Sequence, residues 1–194
     1  MPTQQTVSVR INYKSRPQDL QEIAPGVFMG LPGTATFEPV DIGGAPYAVA
    51  ITFGMTADGP RPAAVTVTAA EGSPPVTSST LRAVKVWDLA RAGIITGAHR
   101  GRSEATSDGG TATELLSTSL TDQDIELIRL RGPVRESLEW AAWFYNLARV
   151  LGLPPAKQVE LELGLPRTTA AKWIRRARDM GLISPTEGST NGKR

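Results

Sequence analysis

The chain has 194 residues, enough for one large domain or two small ones, and its 40% hydrophobic and 21% charged content suits a soluble globular protein. It contains no cysteine, which excludes disulfides, thiolate nucleophiles and cysteine-based zinc sites. The net charge is only +2, but it is unevenly placed. Residues 151–194 carry eight Lys/Arg against four acids, and the first 150 carry thirteen against fifteen. A basic end on a near-neutral body is the asymmetry expected of a nucleic-acid-binding module.

The opening, MPTQQTVSVR, lacks the basic start and apolar core of a signal peptide. Thr6 to Ile11 alternates polar and apolar residues, as a half-buried strand does. Gly30, Pro32, Gly33, Gly43 and Gly44 read as connections. Tyr47–Phe53 and Pro62–Thr68 are β-rich runs separated by the turn chemistry of Asp58-Gly59-Pro60. The period changes near Val76. Capping hydroxyls at Thr77–Thr80 precede a rough helical stripe of Leu81, Val84, Val86, Leu89 and Ala90, predicting a helix over 79–91. Residues 97–113 are poor in apolar residues and rich in Gly, Ser and Thr, the composition of a linker.

Helical signals dominate the remainder. Thr121 and Asp124 have the spacing of a capping box, opening a short helix through Ile125 and Ile128 that Gly132-Pro133 stops. Pro133 suits the first turn of the next helix, over 133–151. Val134, Leu138, Ala141, Tyr145 and Ala148 fall on one face of that helix, and Trp140, Trp143, Phe144, Leu147 and Leu151 on a second. A narrow polar wedge remains at Arg135, Glu139 and Asn146. A helix apolar on two faces is buried on two sides. Its second face finds its partner either in the N-terminal domain or in another copy of the chain, which makes Trp140, Trp143, Phe144 and Leu147 a candidate homodimer seam.

The most informative stretch follows. A helix over 155–163 has Ala156, Val159 and Leu163 as its inward set. Gly164 permits a sharp left-handed turn, Leu165 caps the core, and Pro166 opens a second helix over 166–180. On that helix Ala170, Trp173, Ile174 and Ala177 form a buried stripe, and Thr168, Lys172 and Arg175 point the opposite way. Five cations in residues 166–178, with no acid before Asp179, are unusual for a plain solvated face. They suit a helix laid in the major groove, where base edges carry the code and the backbone is anionic. Arg167, Thr168 and Lys172 are assigned to bases, with Ala171 near a thymine methyl. Arg175, Arg176 and Arg178 are assigned to phosphates, with Thr169, Lys157 and Gln158 as further backbone contacts.

The segment LGLPRTTAAKWIRRARDMGLI, after an aromatic helix, resembles the helix-turn-helix regions of actinobacterial and actinophage DNA-binding proteins, over residues 133–183. Val159, Leu163-Gly164-Leu165, Ala170 and Trp173 carry the core spacings of that resemblance. Glu160 departs from it, standing where those proteins place a small residue. The resemblance implies a transcriptional regulator of bacterial or phage origin.

Other chemistries find no motif. His99 is the only histidine, no HExxH or phosphate-cradling GxxxxGK[ST] occurs, and Asp122, Asp124 and Glu126 lack the glycine and terminal glutamate of a calcium loop. No catalytic, cofactor-binding or metal residue is expected, and the chain is not expected to be an enzyme. No apolar run approaches the roughly 20 residues of a spanning helix, so a cytoplasmic location is expected. The expected fold class is α+β: a β-rich domain with a helix over 1–96, a flexible linker over 97–118, an all-α helix-turn-helix domain over 119–183, and a basic tail over 184–194. The expected partner is double-stranded DNA. The alternative is an interaction protein that docks a partner through an exposed patch of Trp140, Phe144 and Leu147.

Overall fold

Tyr47, Val49, Ile51 and Phe53 are buried, and Ala48, Ala50, Thr52 and Gly54 between them are only partly covered. That period of two makes this stretch the spine of a sheet with one inward face. A computed structural model describes residues 10–16, 19–105, 111–116, 118 and 120–183. Among these the architecture is mixed α+β, with eight strands in two antiparallel sheets and six helices. The chain divides into two compact units, residues 1–21 with 29–98 and residues 22–28 with 99–194.

In the first unit, β1 (Arg10–Lys14), β4 (Gly33–Ile42), β5 (Ala45–Thr56) and β6 (Gly59–Ala69) form a sheet in the order β1-β4-β5-β6. Tyr13 lies opposite Ala35, Ala35 opposite Ile51, and Ile51 opposite Val65. The expected runs 47–53 and 62–68 are the centres of β5 and β6, and Gly43 and Gly44, both at positive φ, turn β4 into β5. Residues 6–9 of the expected first strand lie outside the described residues. Two short strands, β2 (Leu20–Ala24) and β3 (Val27–Gly30), have runs too brief to display a period in the sequence.

The helix expected over 79–91 is two helices, α1 (Ser78–Ala83) and α2 (Val86–Gly97). Thr77 caps α1 in a reciprocal box with Thr80, and Val84 then turns extended. No residue of α1 is buried, and Leu81, placed on the expected inward stripe, is 53% exposed. It is α2 that packs on the sheet, through Ala90, Gly93, Ile94 and Gly97. Gly93 lies so close that an added methyl group would come within 2.9 Å of Ala35 Cβ and Phe53 Cζ.

The segment expected as a linker is a hairpin instead. β7 (Ala98–Ala105) and β8 (Thr111–Leu116) pair from Arg100 opposite Leu116 to Ala105 opposite Thr111, in a second sheet ordered β2-β3-β7-β8. Backbone groups make those bonds, so a run poor in apolar side chains is no obstacle to pairing. Gly101 donates its N–H to the Gly26 carbonyl at 3.2 Å, and any side chain there would strike the Phe28 ring. The helical segment is therefore not a compact unit by itself, since β7, β8 and residues 22–28 belong with it. The basic tail expected over 184–194 lies outside the described residues.

The second unit continues with α3 (Asp122–Arg131), α4 (Arg135–Val150), α5 (Pro155–Glu162) and α6 (Arg167–Asp179). Thr121 and Asp124 do form the capping box, and its hydrogen bonds hold the Asp124 carboxyl below its ordinary value. Pro133 stands just outside α4, whose N-cap is Val134. Each of the last three helices ends on the same device. Gly152, Gly164 and Gly181 have φ of +66°, +56° and +73°. The following Leu153, Leu165 and Leu182 reach back to the carbonyls of Ala148, Glu160 and Ala177 at 2.9, 3.0 and 2.9 Å. This is the Schellman termination, in which a left-handed glycine satisfies carbonyls the helix would leave open.

Gly93→Ala should gain about 0.5–1 kcal/mol of helix propensity but lose about 1–3 kcal/mol to overpacking, so thermal melts should show a lower Tm. An unchanged or raised Tm would mean the α2–sheet contact is looser than described. Separately, Tyr13 donates its hydroxyl to the Gly30 carbonyl at 2.7 Å, and burial pushes its pKa up to about 12. The neutral phenol is favoured on folding, so its contribution is complete below about pH 10 and is lost as pH rises through about 12. Alkaline titration of Tyr13→Phe should lose that component of the parent's instability.

Candidate nucleic-acid interface

α6 owes its position to one apolar side. Ala170, Trp173, Ile174 and Ala177 recur at helical spacing, and their exposures are 1%, 4%, 4% and 0%. They are packed against α4 and α5, where Ala141, Ala148, Val159 and Leu163 are equally covered. Burying a tryptophan in this way contributes on the order of 3–5 kcal/mol, enough to fix which side of α6 faces out. The turn from α5 is set by Gly164 and Leu165, and Pro166 accepts the N–H groups of Thr169 and Ala170 at 2.9 Å each. Among the described residues, no side chain hydrogen-bonds at the N-cap of α6.

The outward side holds Arg167, Thr168, Ala171, Lys172, Arg175 and Arg176, all exposed, with Thr169 partly covered at the margin. Among the described residues, Arg167, Lys172, Arg175 and Arg176 form no ion pair. The helical spacing read from the sequence therefore does bring these residues together on one uncovered face. The other residues singled out are placed differently. Arg178 donates to the Tyr145 hydroxyl at 2.7 Å and lies over that ring at 5.2 Å, so it is bound to α4. Lys157 is exposed but pairs with Glu160 at 3.1 Å, one turn along α5, and Gln158 beside it is half-covered. Ala156, expected to face inward, is exposed, because α5 buries only Val159 along its length.

Glu160, where a small residue was expected, is accommodated on α5 with its carboxylate turned to Lys157. Its side chain is 14% exposed. The second apolar face of α4 is also largely covered. Trp140, Trp143 and Leu147 are only 4%, 6% and 6% exposed, and Phe144 is partly covered. Trp140 and Trp143 meet edge to face at 5.9 Å, Phe144 stacks on Trp140 at 5.8 Å, and the Arg100 guanidinium lies 3.8 Å over the Trp140 ring. The expected seam of Trp140, Trp143, Phe144 and Leu147 is therefore mostly interior.

Asn146, on the expected polar wedge, is a buried tie. Its side-chain amide donates to the Pro25 carbonyl at 2.8 Å and the Leu182 carbonyl at 3.0 Å, fastening the segment after α6 to the β2–β3 turn. A single asparagine in an aromatic helix gives no signal of that role. Beside it lies a cleft of about 480 Å³ whose lining includes Arg100, Arg102, Arg135, Glu139 and Trp143. Its charges are largely matched from within: Arg102 and Arg135 share one oxygen of Glu139, at 2.8 and 3.1 Å. Burial lowers the Arg100 pKa, opposed by Glu139 and Glu136. Among the described residues, no group of three His, Cys, Asp or Glu is placed to hold a metal ion, and no helix is long and apolar enough to cross a membrane.

No family model matches the chain, and no curated protein or solved structure shows significant similarity to it.

The tie predicts its own loss. Asn146→Ala leaves two carbonyls unbonded, which should cost about 1–3 kcal/mol and speed amide exchange at the C-terminal end of α6. Exchange at the parent rate would show that Asn146 does not hold that end.

Proposed function

We propose that the protein binds double-stranded DNA sequence-specifically, with α5, the Leu163–Pro166 turn and α6 acting as a helix-turn-helix and α6 as its recognition helix. The observation that carries this reading is the one-sided division of α6. Four cations with no ion-pair partner among the described residues occupy its exposed side, directly opposite a buried apolar stripe. A solvated structural helix has no need to segregate cations so completely, and exposed helices ordinarily interleave acids with them.

Recognition helices use their N-terminal residues on base edges and later ones on phosphates. Arg167, Thr168 and Lys172 read bases in this scheme, Ala171 meets a thymine methyl, and Arg175 and Arg176 hold phosphates. The uncapped N-terminus of α6 adds amide donors suited to a phosphate oxygen. Arg178 serves from behind, bracing α6 on Tyr145. Lys157, Gln158 and Thr169 stand at the margin as secondary backbone contacts. The biological role proposed is regulation of transcription in a bacterial or phage setting, by analogy with the majority use of such modules.

Gel shifts over a salt series test the mechanism. Each phosphate neutralised lowers log K by about 0.9 per unit of log salt, so two to four contacts per chain should give a slope of roughly −2 to −4. A flat response would remove the electrostatic mechanism. Lys172→Ala should relax base preference by about 1–3 kcal/mol at its position, whereas Arg175→Ala should weaken all sequences alike. If both variants bind like the parent, the role assignments are wrong.

A further inference from the structure

α3 is inward-facing on one side only. Ile128 is buried and Ile125 half-buried, and Leu127 and Leu130 on the side turned away from them are 49% and 76% exposed. Val134, just past the end of the helix, is 45% exposed. One exposed leucine is ordinary. Two at a spacing of three on a ten-residue helix lie on one exposed side.

The charges along α3 indicate what covers it. The first half carries Asp122, Asp124 and Glu126, and the second half carries Arg129 and Arg131. A copy of this helix laid parallel would set acid beside acid. A copy laid antiparallel sets the acidic half of each beside the basic half of the other. A twofold axis midway between Leu127 and Leu130 brings Leu127 against Leu130 of the second copy. On one flank it also brings Asp124 within a turn of the second copy's Arg131. Arg131 is held by Glu136 at 3.0 Å, with both side chains more than half exposed, a pairing that stabilises little and yields readily.

We propose that two copies of this chain associate through α3, antiparallel, with Leu127 of each packed on Leu130 of the other. The contact is isologous, the commonest arrangement of a homodimer. It stands independently of the DNA-binding reading, because association is measured without DNA.

Sedimentation equilibrium of the full chain, with no nucleic acid present, tests it. The parent should show a reversible monomer–dimer equilibrium that strengthens as salt is lowered. Leu127→Lys and Leu130→Glu each bury an unpaired charge in their own homodimer, and each should weaken self-association by roughly 100-fold or more. Both positions are exposed in the monomer, so circular dichroism and Tm should match the parent. An equimolar mixture of the two variants should recover the dimer. In that heterodimer the ammonium introduced on one chain faces the carboxylate introduced on the other, and one Leu–Leu contact is kept. A parallel seam gives no such rescue. A parent that stays monomeric, variants that associate like the parent, or a mixture that stays monomeric each overturn the proposal.

Discussion

The burial of Trp173 is the constraint on which the C-terminal half of this structure turns. α6 has a single apolar stripe, and its other residues are charged, hydroxylated or small. Once Trp173, Ile174, Ala170 and Ala177 are committed to α4 and α5, the rotation of the helix about its axis has no remaining freedom. Arg167, Lys172, Arg175 and Arg176 are exposed as a consequence. The surrounding features act on the same element. Gly164 and Leu165 set where α6 begins, Gly181 and Leu182 set where it stops, Arg178 clamps it to Tyr145, and Asn146 holds its end.

Several cations of this unit are engaged by neighbouring side chains. Arg102, Arg135 and Lys157 are engaged by carboxylates, and Arg178 by a phenol. These side chains contribute to shape more than to surface potential. The four cations of α6 that have no ion-pair partner among the described residues are concentrated within ten residues, so their fields add at one place. A net charge of +2 for the whole chain conceals this, because the acids that cancel it lie elsewhere. It is the local arrangement, and not the overall charge, that suits an anionic backbone.

The helices of the second unit are legible in the sequence because their signals are local. Thr121 with Asp124, Gly164 after α5, and the four-residue stripe on α6 each lie within a turn or two of what they specify. The alternation in β5 is legible for the same reason. What stays hidden depends on partners distant along the chain. The β7–β8 hairpin pairs through backbone groups, which composition does not record, and its low apolar content mimics a linker. The break at Val84 follows from which helix the sheet accepts. The interior fate of Trp140 and Trp143 depends on Arg100 and on aromatic neighbours, which spacing along one helix does not record. Arg178 and Lys157 look free on a helical wheel because a cation's partner cannot be read from its position on one helix. The exposed leucines of α3 are legible as helix and not as surface.

If the protein binds DNA as proposed, the outward face of α6, and no other basic patch, meets the duplex. Arg61 and Arg91 offer an internal comparison, since both lie over the Trp87 ring in the first unit. The decisive experiment is an NMR titration of protein labelled with ¹⁵N at arginine and lysine, using a mixed-sequence duplex at low salt. Resonances of Arg167, Lys172, Arg175 and Arg176 should shift first and furthest while those of Arg61 and Arg91 stay in place. Equal shifts at Arg61 and Arg91, or no movement along α6, would contradict that placement.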